Sequence, residues 1–305
     1  MPAPGGSIVN NRPVKLIAAD SYWIGSFEAM ASPCELFMEV DEEAQARQLL
    51  NIAAQEAWRI ESKFSRYLND NPVHLINNSG GNPVEVDEEL AQLLDFAQLC
   101  WQLSEGLFDI TSGVLRRVWH FNHGSQLPRQ QQIEQVMPFV GWQKLTWSRP
   151  FLTLLEGMEI DFGGIGKEYA VDRTLQLLQQ HTDRALLINY GGDICTGGMR
   201  LSKQPWSVGI ENPSHPDTPK GVLKISRGAL ATSGDTRRYL IHNGKRYGHL
   251  LNPKTGWPID AVSRSATVAA ATCTEAGLLA TLALLQGPEA ETFLQNQDVQ
   301  YWLTS

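Results

Sequence analysis

The sequence predicts an α+β fold, because segments with helical and strand periodicity are interspersed without regular alternation. Some segments repeat apolar residues at the spacing of amphipathic helices, whereas many others are short, β-prone and bounded by turn residues. Several predicted strands follow one another between residues 184 and 271 with no predicted helix among them. A doubly wound α/β sheet is therefore disfavoured, since it needs a helix after each strand.

Two long helices are predicted in the first third of the chain. Asp41–Lys63 carries apolar residues on one helical face and starts at an N-capping residue type, Asp41. Val86–Ser104 has Asp87 as its N-cap and Gly106 just after its end. Further helices are predicted at Arg129–Val136, Gly166–Gln180, Thr274–Gln286 and Pro288–Gln295.

Strands are predicted where short β-prone runs end in turn residues. Leu145–Leu155 reads as a hairpin with its turn at Ser148–Pro150, and it leads to a strand at Met158–Phe162. The other predicted strands are Val14–Ala19, Cys34–Val40, Arg184–Asn189, Trp206–Ile210, Gly221–Ser226, Arg237–His242, Ser265–Ala271 and Val299–Leu303.

The composition is that of an ordinary globular protein. Of the 305 residues, 42% are hydrophobic and 19% are charged. The net charge of −8 and the lack of a basic tract argue against nucleic acid as a partner. Cys34, Cys100, Cys195 and Cys273 form no Cys-x-x-Cys pair, so we predict buried reduced thiols and no zinc site.

Residues 1–12 are predicted to be mobile, and residues 13–305 to form a single domain. The N-terminus lacks the basic start and apolar run of a signal peptide, and no apolar run reaches membrane-spanning length. The chain is therefore predicted to be cytoplasmic as numbered, or periplasmic if a leader has been removed.

The segment Asp161–Lys167 reads Asp-Phe-Gly-Gly-Ile-Gly-Lys and predicts a strand, a glycine turn and a helix start. A protein kinase is excluded, because the His-Arg-Asp segment and the glycine-rich strand loop are missing. A P-loop is excluded, because Asp161 stands five positions before Gly166 and Glu168 replaces the Ser or Thr. Backbone N–H groups at such a helix start can hold phosphate, but an ordinary strand–helix connection explains the segment equally well.

Other strings combine glycine with polar side chains. Asn189–Asp193 ends in two glycines and a carboxylate, and Thr232 and Ser233 precede Gly234, where hydroxyls and backbone donors could face a pyrophosphate. Alone, each of these strings is as well explained by a capped turn. Asp109 lies between two apolar residues, which favours a ligand-binding or capping role.

His249 is predicted to lie within a strand, just before a turn that Pro253 and Gly256 impose. A lone histidine in a strand is usually structural. The loop-shaping residues around this one favour a functional role, and an imidazole titrates near neutrality, as a general base must.

Taken in order, these strings resemble the FAD:protein FMN transferase (ApbE) family. The family pattern runs Met-Gly-Thr, Ser-x-Tyr, Gly-x-Phe-Asp-Ile-Thr, Asp-Leu-Gly-Gly-Ile-Ala-Lys-Gly, Asn-x-Gly-Gly-Asp, Thr-Ser-Gly-Asp, Tyr-x-His-Ile-Ile-Asp-Pro-x-Thr-Gly and Ala-Asp-Ala-Leu-Ala-Thr. The matches extend from Met30 to Gly287, nearly the whole chain. No single motif is decisive, but so many in the correct order are hard to obtain by chance.

The resemblance implies an enzyme that transfers FMN from FAD to a Thr or Ser of a partner flavoprotein, with release of AMP. It implies an α+β, ApbE-like (T-fold-like) architecture with FAD between two lobes, and an acceptor protein with a Ser-Gly-Ala-Thr-like site. His249, as base, and Lys167 would be catalytic. FAD would contact Met30, Tyr67, Phe108, Asp109, Ile110, Asp161, Lys167, Thr232, Ser233 and Leu251, and Mg²⁺ would bind the carbonyl of Gly164 and the hydroxyl of Thr281.

The chain departs from the family pattern at several positions. Gly277 stands where the family has its metal-binding Asp, and Asn252 replaces the Asp of the His-x-x-Asp-Pro string. Glu168 replaces the Gly after the lysine, and Ala31 and Ser32 replace Gly-Thr. Mg²⁺ prefers anionic oxygens, so the loss of its carboxylate predicts weak metal binding. Glu275 is not an expected substitute, because it lies about 200° around the helix from Gly277.

Two alternatives to the transferase stay open on the sequence alone. One is an FAD-binding or flavin-delivery protein with weak or no transferase activity. The other is an FAD pyrophosphatase, in which water replaces the acceptor and the products are FMN and AMP.

Overall fold

The structure is a computed structural model and describes residues 12–121, 126–210, 221–234, 239–259 and 263–304. Helices and strands are mixed without regular alternation, so the α+β prediction is confirmed. Of the predicted mobile N-terminus, residues 1–11 lie outside the described residues. No helix among the described residues is long and apolar enough to cross a membrane.

The elements have the following bounds. The helices are α1 (Glu43–Phe64), α2 (Pro72–Asn77), α3 (Glu88–Leu103), α4 (Gln130–Val136), α5 (Gly166–Leu178), α6 (Cys273–Leu285) and α7 (Ala290–Gln295), with a 3₁₀ helix at Ile110–Arg117. The strands are β1 (Lys15–Ala18), β2 (Trp23–Ala29), β3 (Ser32–Met38), β4 (Val84–Glu85), β5 (Thr146–Ser148), β6 (Phe151–Thr153), β7 (Leu186–Tyr190), β8 (Asp193–Gly197), β9 (Trp206–Ile210), β10 (Gly221–Ile225), β11 (Gly228–Gly234), β12 (Tyr239–His242), β13 (Lys245–Gly248), β14 (Ser265–Ala270) and β15 (Gln300–Thr304).

A central antiparallel sheet joins the two halves of the chain. In the described residues its strand order is β1-β2-β3-β7-β8-β11-β14-β15. The long-range pairing of β3 with β7 places Cys34 opposite Tyr190, and Glu35 accepts a hydrogen bond from Asn189 across it, at 2.9 Å. β7, β8 and β14 are buried along most of their length, so their sequences do not alternate between apolar and polar residues.

Helices α1, α5 and α6 cover one face of this sheet, and close packing fixes their distance from it. At Gly25 of β2 a Cβ atom would lie 2.6 Å from Cδ1 of Leu50 on α1. At Gly197 of β8 a Cβ atom would lie 3.1 Å from Leu175 on α5. Glycine at these two strand positions therefore lets the helices approach the sheet closely.

The β9–β10 hairpin covers part of the opposite face. Trp206 of β9 is buried and meets Tyr22 and Phe37 edge-on, with ring centroids 5.8 and 6.2 Å apart. A second group of elements, which comprises α2, α3, the 3₁₀ helix, α4 and the small β4-β6-β5 sheet, lies beside α1. One cluster of buried apolar residues runs from Phe27 to Leu285 through both groups, and supports our proposal that residues 13–305 are one domain.

The helices largely follow the prediction, and Asp87 caps α3 as predicted, by accepting a hydrogen bond from the N–H of Leu90. The N-cap of α1 is Glu42 rather than Asp41. Met158–Phe162 is extended chain without strand pairing, so that strand prediction is wrong. Some elements of the described residues were not predicted from the sequence: β2, α2, the 3₁₀ helix, β8, β11 and β13. All four cysteines are free and buried, as predicted.

Asp172 of α5 joins that helix to the start of α6. Its carboxylate accepts hydrogen bonds from the N–H groups of Cys273 and Thr274, both at 2.8 Å, and from the Thr274 hydroxyl at 2.7 Å. Two of the unpaired N–H groups of the first turn of α6 are thus satisfied by a neighbouring helix.

We expect Asp172→Ala to lower the free energy of unfolding by about 2–3 kcal/mol, because it leaves backbone donors of α6 without partners. Urea unfolding followed by circular dichroism measures this change. Asp183→Ala, at an exposed position after α5, is the matched control and should stay within about 0.5 kcal/mol of wild type. Equal stability of the two variants would contradict a role for Asp172 in holding α6.

Candidate functional site

The loop before α5 exposes Gly163 and Gly164, and Gly164 lies close to an aromatic ring. Its turn is closed by hydrogen bonds from the N–H groups of Ile165 and Gly166 to the carbonyl of Phe162, at 3.0 and 2.7 Å. A Cβ atom on Gly164 would lie 3.2 Å from the ring of Phe108, which is buried. The predicted glycine turn and helix start are therefore present, although no strand precedes them.

Two hairpin turns lie at one end of the central sheet, next to the start of α5. Met30 and Ala31 form the β2–β3 turn with φ values of 52° and 55°, and Gly191 and Gly192 form the β7–β8 turn with φ values of 61° and 99°. Both turns use the left-handed backbone region that two-residue hairpins require. The Gly191 N–H donates to the carbonyl of Pro33 at 2.9 Å, so the two turns are adjacent.

Lys167, the second residue of α5, reaches these turns. Its Nζ lies 2.7 Å from a carboxylate oxygen of Asp193 and 3.5 Å from the carbonyl of Gly191. Burial opposes the charged ammonium, but the attraction of Asp193 outweighs it and raises the pKa of Lys167. Burial also raises the pKa of Asp193, and Lys167 and a backbone hydrogen bond from Thr232 oppose that shift. The lysine side chain is 26% exposed, so part of it faces solvent.

Thr232 and Ser233 lie within β11 rather than in the predicted turn. Successive residues of a strand point to opposite faces. The hydroxyl of Thr232 pairs with that of Thr267 on β14 at 2.8 Å, whereas the hydroxyl of Ser233 accepts a hydrogen bond from Thr281 of α6 at 3.2 Å. The two side chains thus point to opposite faces of β11, and only Ser233 points toward α6. Contact of Thr232 and Ser233 with the pyrophosphate of FAD stays a prediction.

The face of α6 that carries Thr281 also carries Gly277, since residues four apart share a helix face. Glu168 of α5 packs against this glycine: a Cβ atom on Gly277 would lie 2.6 Å from Cγ and 2.9 Å from Oε1 of Glu168. The Oε2 atom of Glu168 is inaccessible to solvent and has no hydrogen-bond partner. Burial, and next the repulsion of Asp193, raises the pKa of Glu168 well above its usual range.

A buried carboxylate oxygen without a hydrogen-bond partner fits a hard cation such as Mg²⁺. No group of three or more His, Cys, Asp or Glu side chains forms a metal site within the part of the chain described here. A cation at this point would therefore also need hydroxyl, backbone carbonyl or substrate oxygens. Thr281 and the exposed loop at Gly164 are the residues that the sequence predicts for this purpose.

Asp109 caps the 3₁₀ helix, which is one of the two roles that its sequence context suggested. Its carboxylate accepts hydrogen bonds from the N–H and hydroxyl of Thr111, at 2.8 and 2.6 Å, and from the N–H of Trp142 at 2.8 Å. Burial raises the pKa of Asp109, although these hydrogen bonds oppose the shift. Neighbouring Ile110 is buried and accepts a backbone hydrogen bond from Asp161.

The sequence analysis did not include Arg66 among the site residues. Its guanidinium pairs with Asp161 at 3.0 Å and donates to the carbonyl of Gly113 at 3.0 Å. Asp161 also accepts from the N–H of Gly163 at 3.0 Å, which fixes the start of the glycine loop. Tyr67 is 73% exposed and its ring lies against the same guanidinium. The signal in the sequence is a basic residue directly before the predicted Tyr67.

A cleft of about 310 Å³ opens beside Asp109. Its lining includes two cations, Lys144 and Lys254, and the backbone of Gly106 and Gly141. Lys254 belongs to the loop after β13, and Asp109 follows Phe108. The loop after β13 and the segment with Asp109 therefore border the same cleft. The cleft is lined by Trp101, Glu105, Gly106, Asp109, Met137, Val140, Gly141, Gln143, Lys144, Pro253 and Lys254.

His249 follows β13, which ends at Gly248, so its predicted position within a strand is wrong. Its ring meets Phe121 edge-on with centroids 6.4 Å apart. Leu251 pairs with Pro258 in an isolated β-bridge and packs on a cluster around Trp119.

Asn252 closes the turn that follows Leu251. Its side-chain oxygen accepts from the N–H of Lys254 at 2.8 Å, and its carbonyl accepts from the N–H of Gly256 at 2.8 Å. An Asp could make the same side-chain contact, so the replacement by Asn preserves the turn.

Comparisons with known proteins agree with this arrangement. The sequence model described as the ApbE family matches residues 30–303. A protein of Haemophilus influenzae named FAD:protein FMN transferase is 29% identical over 234 residues, which cover 73% of this chain and 68% of that protein. A protein of the same name from Escherichia coli strain K12 is 31% identical over 236 residues, which cover 74% of this chain and 67% of that protein.

Solved structures resemble the fold over most of the chain. The crystal structure of the ApbE protein of Thermotoga maritima superposes with a TM-score of 0.85 at 28% identity and covers 92% of this chain and 94% of that chain. The flavin transferase ApbE of Vibrio cholerae superposes with a TM-score of 0.82 at 22% identity, with coverages of 95% and 94%, and supports the fold alone. On the match from residue 30 to residue 303, this chain belongs to the ApbE family.

Proposed function

We propose that the protein is an FAD:protein FMN transferase. The observation that carries this proposal is the placement of Lys167 at the start of α5 beside the glycine turn at Gly191, with part of its side chain open to solvent. A Thr or Ser hydroxyl oxygen of the acceptor attacks the FMN phosphorus, the bond from that phosphorus to the bridging oxygen breaks, and AMP leaves with that oxygen. Such a displacement depends mainly on positioning and on neutralising charge.

FAD would lie between two lobes, with its pyrophosphate at the exposed end of the sheet near Met30, Lys167 and Ser233. The cleft beside Asp109 would take the adenosine part, and the buried residues Phe108 and Ile110 flank Asp109 in the sequence. Asp109 would shape this end by holding Trp142, since its oxygens already accept three hydrogen bonds. Tyr67, Asp161 and Leu251 stay proposed contacts of FAD.

Lys167 would neutralise a phosphate oxygen while Asp193 keeps its side chain in place. A Mg²⁺ ion, when bound, would supply further positive charge to the pyrophosphate, and Gly164 and Thr281 would contribute to holding it. His249 would accept the proton of the acceptor hydroxyl. The acceptor would be a flavoprotein with a Ser-Gly-Ala-Thr-like site, and the compartment where they meet stays a prediction, cytoplasmic or periplasmic.

We expect covalent FMN on an acceptor peptide that contains Ser-Gly-Ala-Thr, after incubation with the protein, FAD and Mg²⁺. Mass spectrometry of the peptide, with chromatography of the nucleotides, measures the products. Peptide FMN with stoichiometric AMP supports the transferase. Free FMN with AMP supports the pyrophosphatase instead, and unchanged FAD that binds at micromolar concentration supports a flavin-delivery protein.

We expect Lys167→Met to weaken FAD binding about 10- to 100-fold, since a charge-assisted contact to phosphate contributes about 1.5–3 kcal/mol. Calorimetry with FAD measures this, and exposed Lys15→Met on β1 is the matched control. The single variant also leaves Asp193 buried without its cation. The double variant Lys167→Met/Asp193→Asn removes that cost, so it should regain stability but not FAD affinity. Full recovery of FAD affinity would show that Lys167 serves only Asp193.

We expect His249→Gln to lower kcat for transfer about 100-fold or more, with FAD affinity within about threefold of wild type, because a general base acts in the chemical step. His242→Gln, at an exposed position of β12, is the control and should keep wild-type kcat. A His249→Gln enzyme with unchanged kcat would exclude this histidine as the base.

A further inference from the structure

Glu168 and Gly277 both depart from the family pattern, and the structure places these two departures against each other. The space that a side chain at position 277 would enter is filled by Glu168, whose Cγ, Oε1 and Cδ lie 2.6, 2.9 and 3.1 Å from the position of a Cβ atom there. Gly277 is buried inside α6, so a larger residue has no alternative direction on that face.

We propose that Glu168 supplies, from α5, the carboxylate ligand of the divalent cation that residue 277 of α6 does not carry. This inference rests on the proposed function. The sequence predicted a metal site without a carboxylate, because Gly277 has none and Glu275 lies about 200° around the helix from it. With Glu168 as a ligand, the metal site has a carboxylate. Glu275 is exposed in the first turn of α6, whereas the carboxylate of Glu168 lies between the two helices.

Two observations support a ligand role over simple space filling. The Oε2 atom of Glu168 is buried without a hydrogen-bond partner, although a buried carboxylate oxygen normally has one. Thr281, four residues after Gly277, lies on the same face of α6 as the glycine that Glu168 contacts, and its hydroxyl donates to Ser233 of β11 at 3.2 Å. A hydroxyl ligand on α6 is thus available on the helix face that Glu168 packs against.

The arrangement of charge is consistent with a cation at this point. Lys167 faces Asp193 at 2.7 Å, so its positive charge is already matched by one acid. Glu168 is a second acid beside the same pair, and among the described residues no ion pair to it is within 4.0 Å. Glu168 would help to hold a divalent ion through its Oε2 atom, and the ion would supply positive charge for the phosphates of FAD.

The test measures metal binding directly, through the loss of the free Mn²⁺ electron paramagnetic resonance signal on titration into the FAD-saturated protein. We expect Glu168→Gln to weaken Mn²⁺ binding at least tenfold, and exposed Glu275→Gln to leave it unchanged. Gly277→Ala removes no ligand atom, but it should also weaken Mn²⁺ binding because its methyl group displaces Glu168. Thermal unfolding of each variant establishes that it is folded.

The decisive variant exchanges the two positions. Glu168→Gly/Gly277→Asp should recover Mn²⁺ affinity to within about threefold of wild type, whereas Glu168→Gly alone should not. Wild type that binds no Mn²⁺, a Glu168→Gln variant with unchanged Mn²⁺ affinity, or a double variant no better than Glu168→Gly would each overturn the inference.

Parallel transfer assays separate this inference from the proposed function. If Mn²⁺ binding depends on Glu168 but the protein does not transfer FMN, the metal site is supported and the transferase function is excluded. If transfer depends on the metal but Glu168→Gln does not change Mn²⁺ affinity, the transferase function is supported and Glu168 is excluded as the ligand.

Discussion

The hydrogen bonds of Asp172 to the start of α6 are the constraint on which the candidate site depends. Helix α6 buries residues on almost every side, including Cys273, Ala276 and Leu284, so an amphipathic pattern cannot set its rotation. Asp172 fixes the first turn of α6 on α5, and the absence of a side chain at Gly277 lets the two helices come together. The orientation of α6 is thus set by directed hydrogen bonds and by the shape of the helix contact, because hydrophobic patterning cannot set it.

The ion pair between Lys167 and Asp193 links the stability of the protein to its proposed function. Asp193 is 2% exposed, and a buried carboxylate without a partner is strongly disfavoured. Lys167 provides that partner and at the same time stays partly exposed beside the glycine turn at Gly191. A residue with both duties cannot be assessed by a single substitution, since the loss of Lys167 alters the charge of the pocket and the cost of burying Asp193 together.

The sequence predicted the fold class and most helices, because amphipathic periodicity and caps such as Asp87 are local signals. It missed β8 and β11, whose buried segments are rich in Gly, Ala and Thr and carry no alternation. Motif order was sufficient to predict the family. It could not show that Thr232 and Ser233 point to opposite sides, because strand pairing decides that, and it could not show that Asp109 has its oxygens occupied.

The relation between Glu168 and Gly277 shows why a position-by-position comparison with a family pattern can mislead. Along the chain these are two separate departures, one that adds a carboxylate and one that removes it. In space they occupy one volume, so either change alone would be costly: an Asp at 277 would collide with Glu168, and a Gly at 168 would leave a void beside Gly277. The steric coupling makes the two departures one exchange between neighbouring helices. Because Glu168 fills the space between α5 and Gly277 of α6, an ion that it binds would be held between the two helices that Asp172 joins.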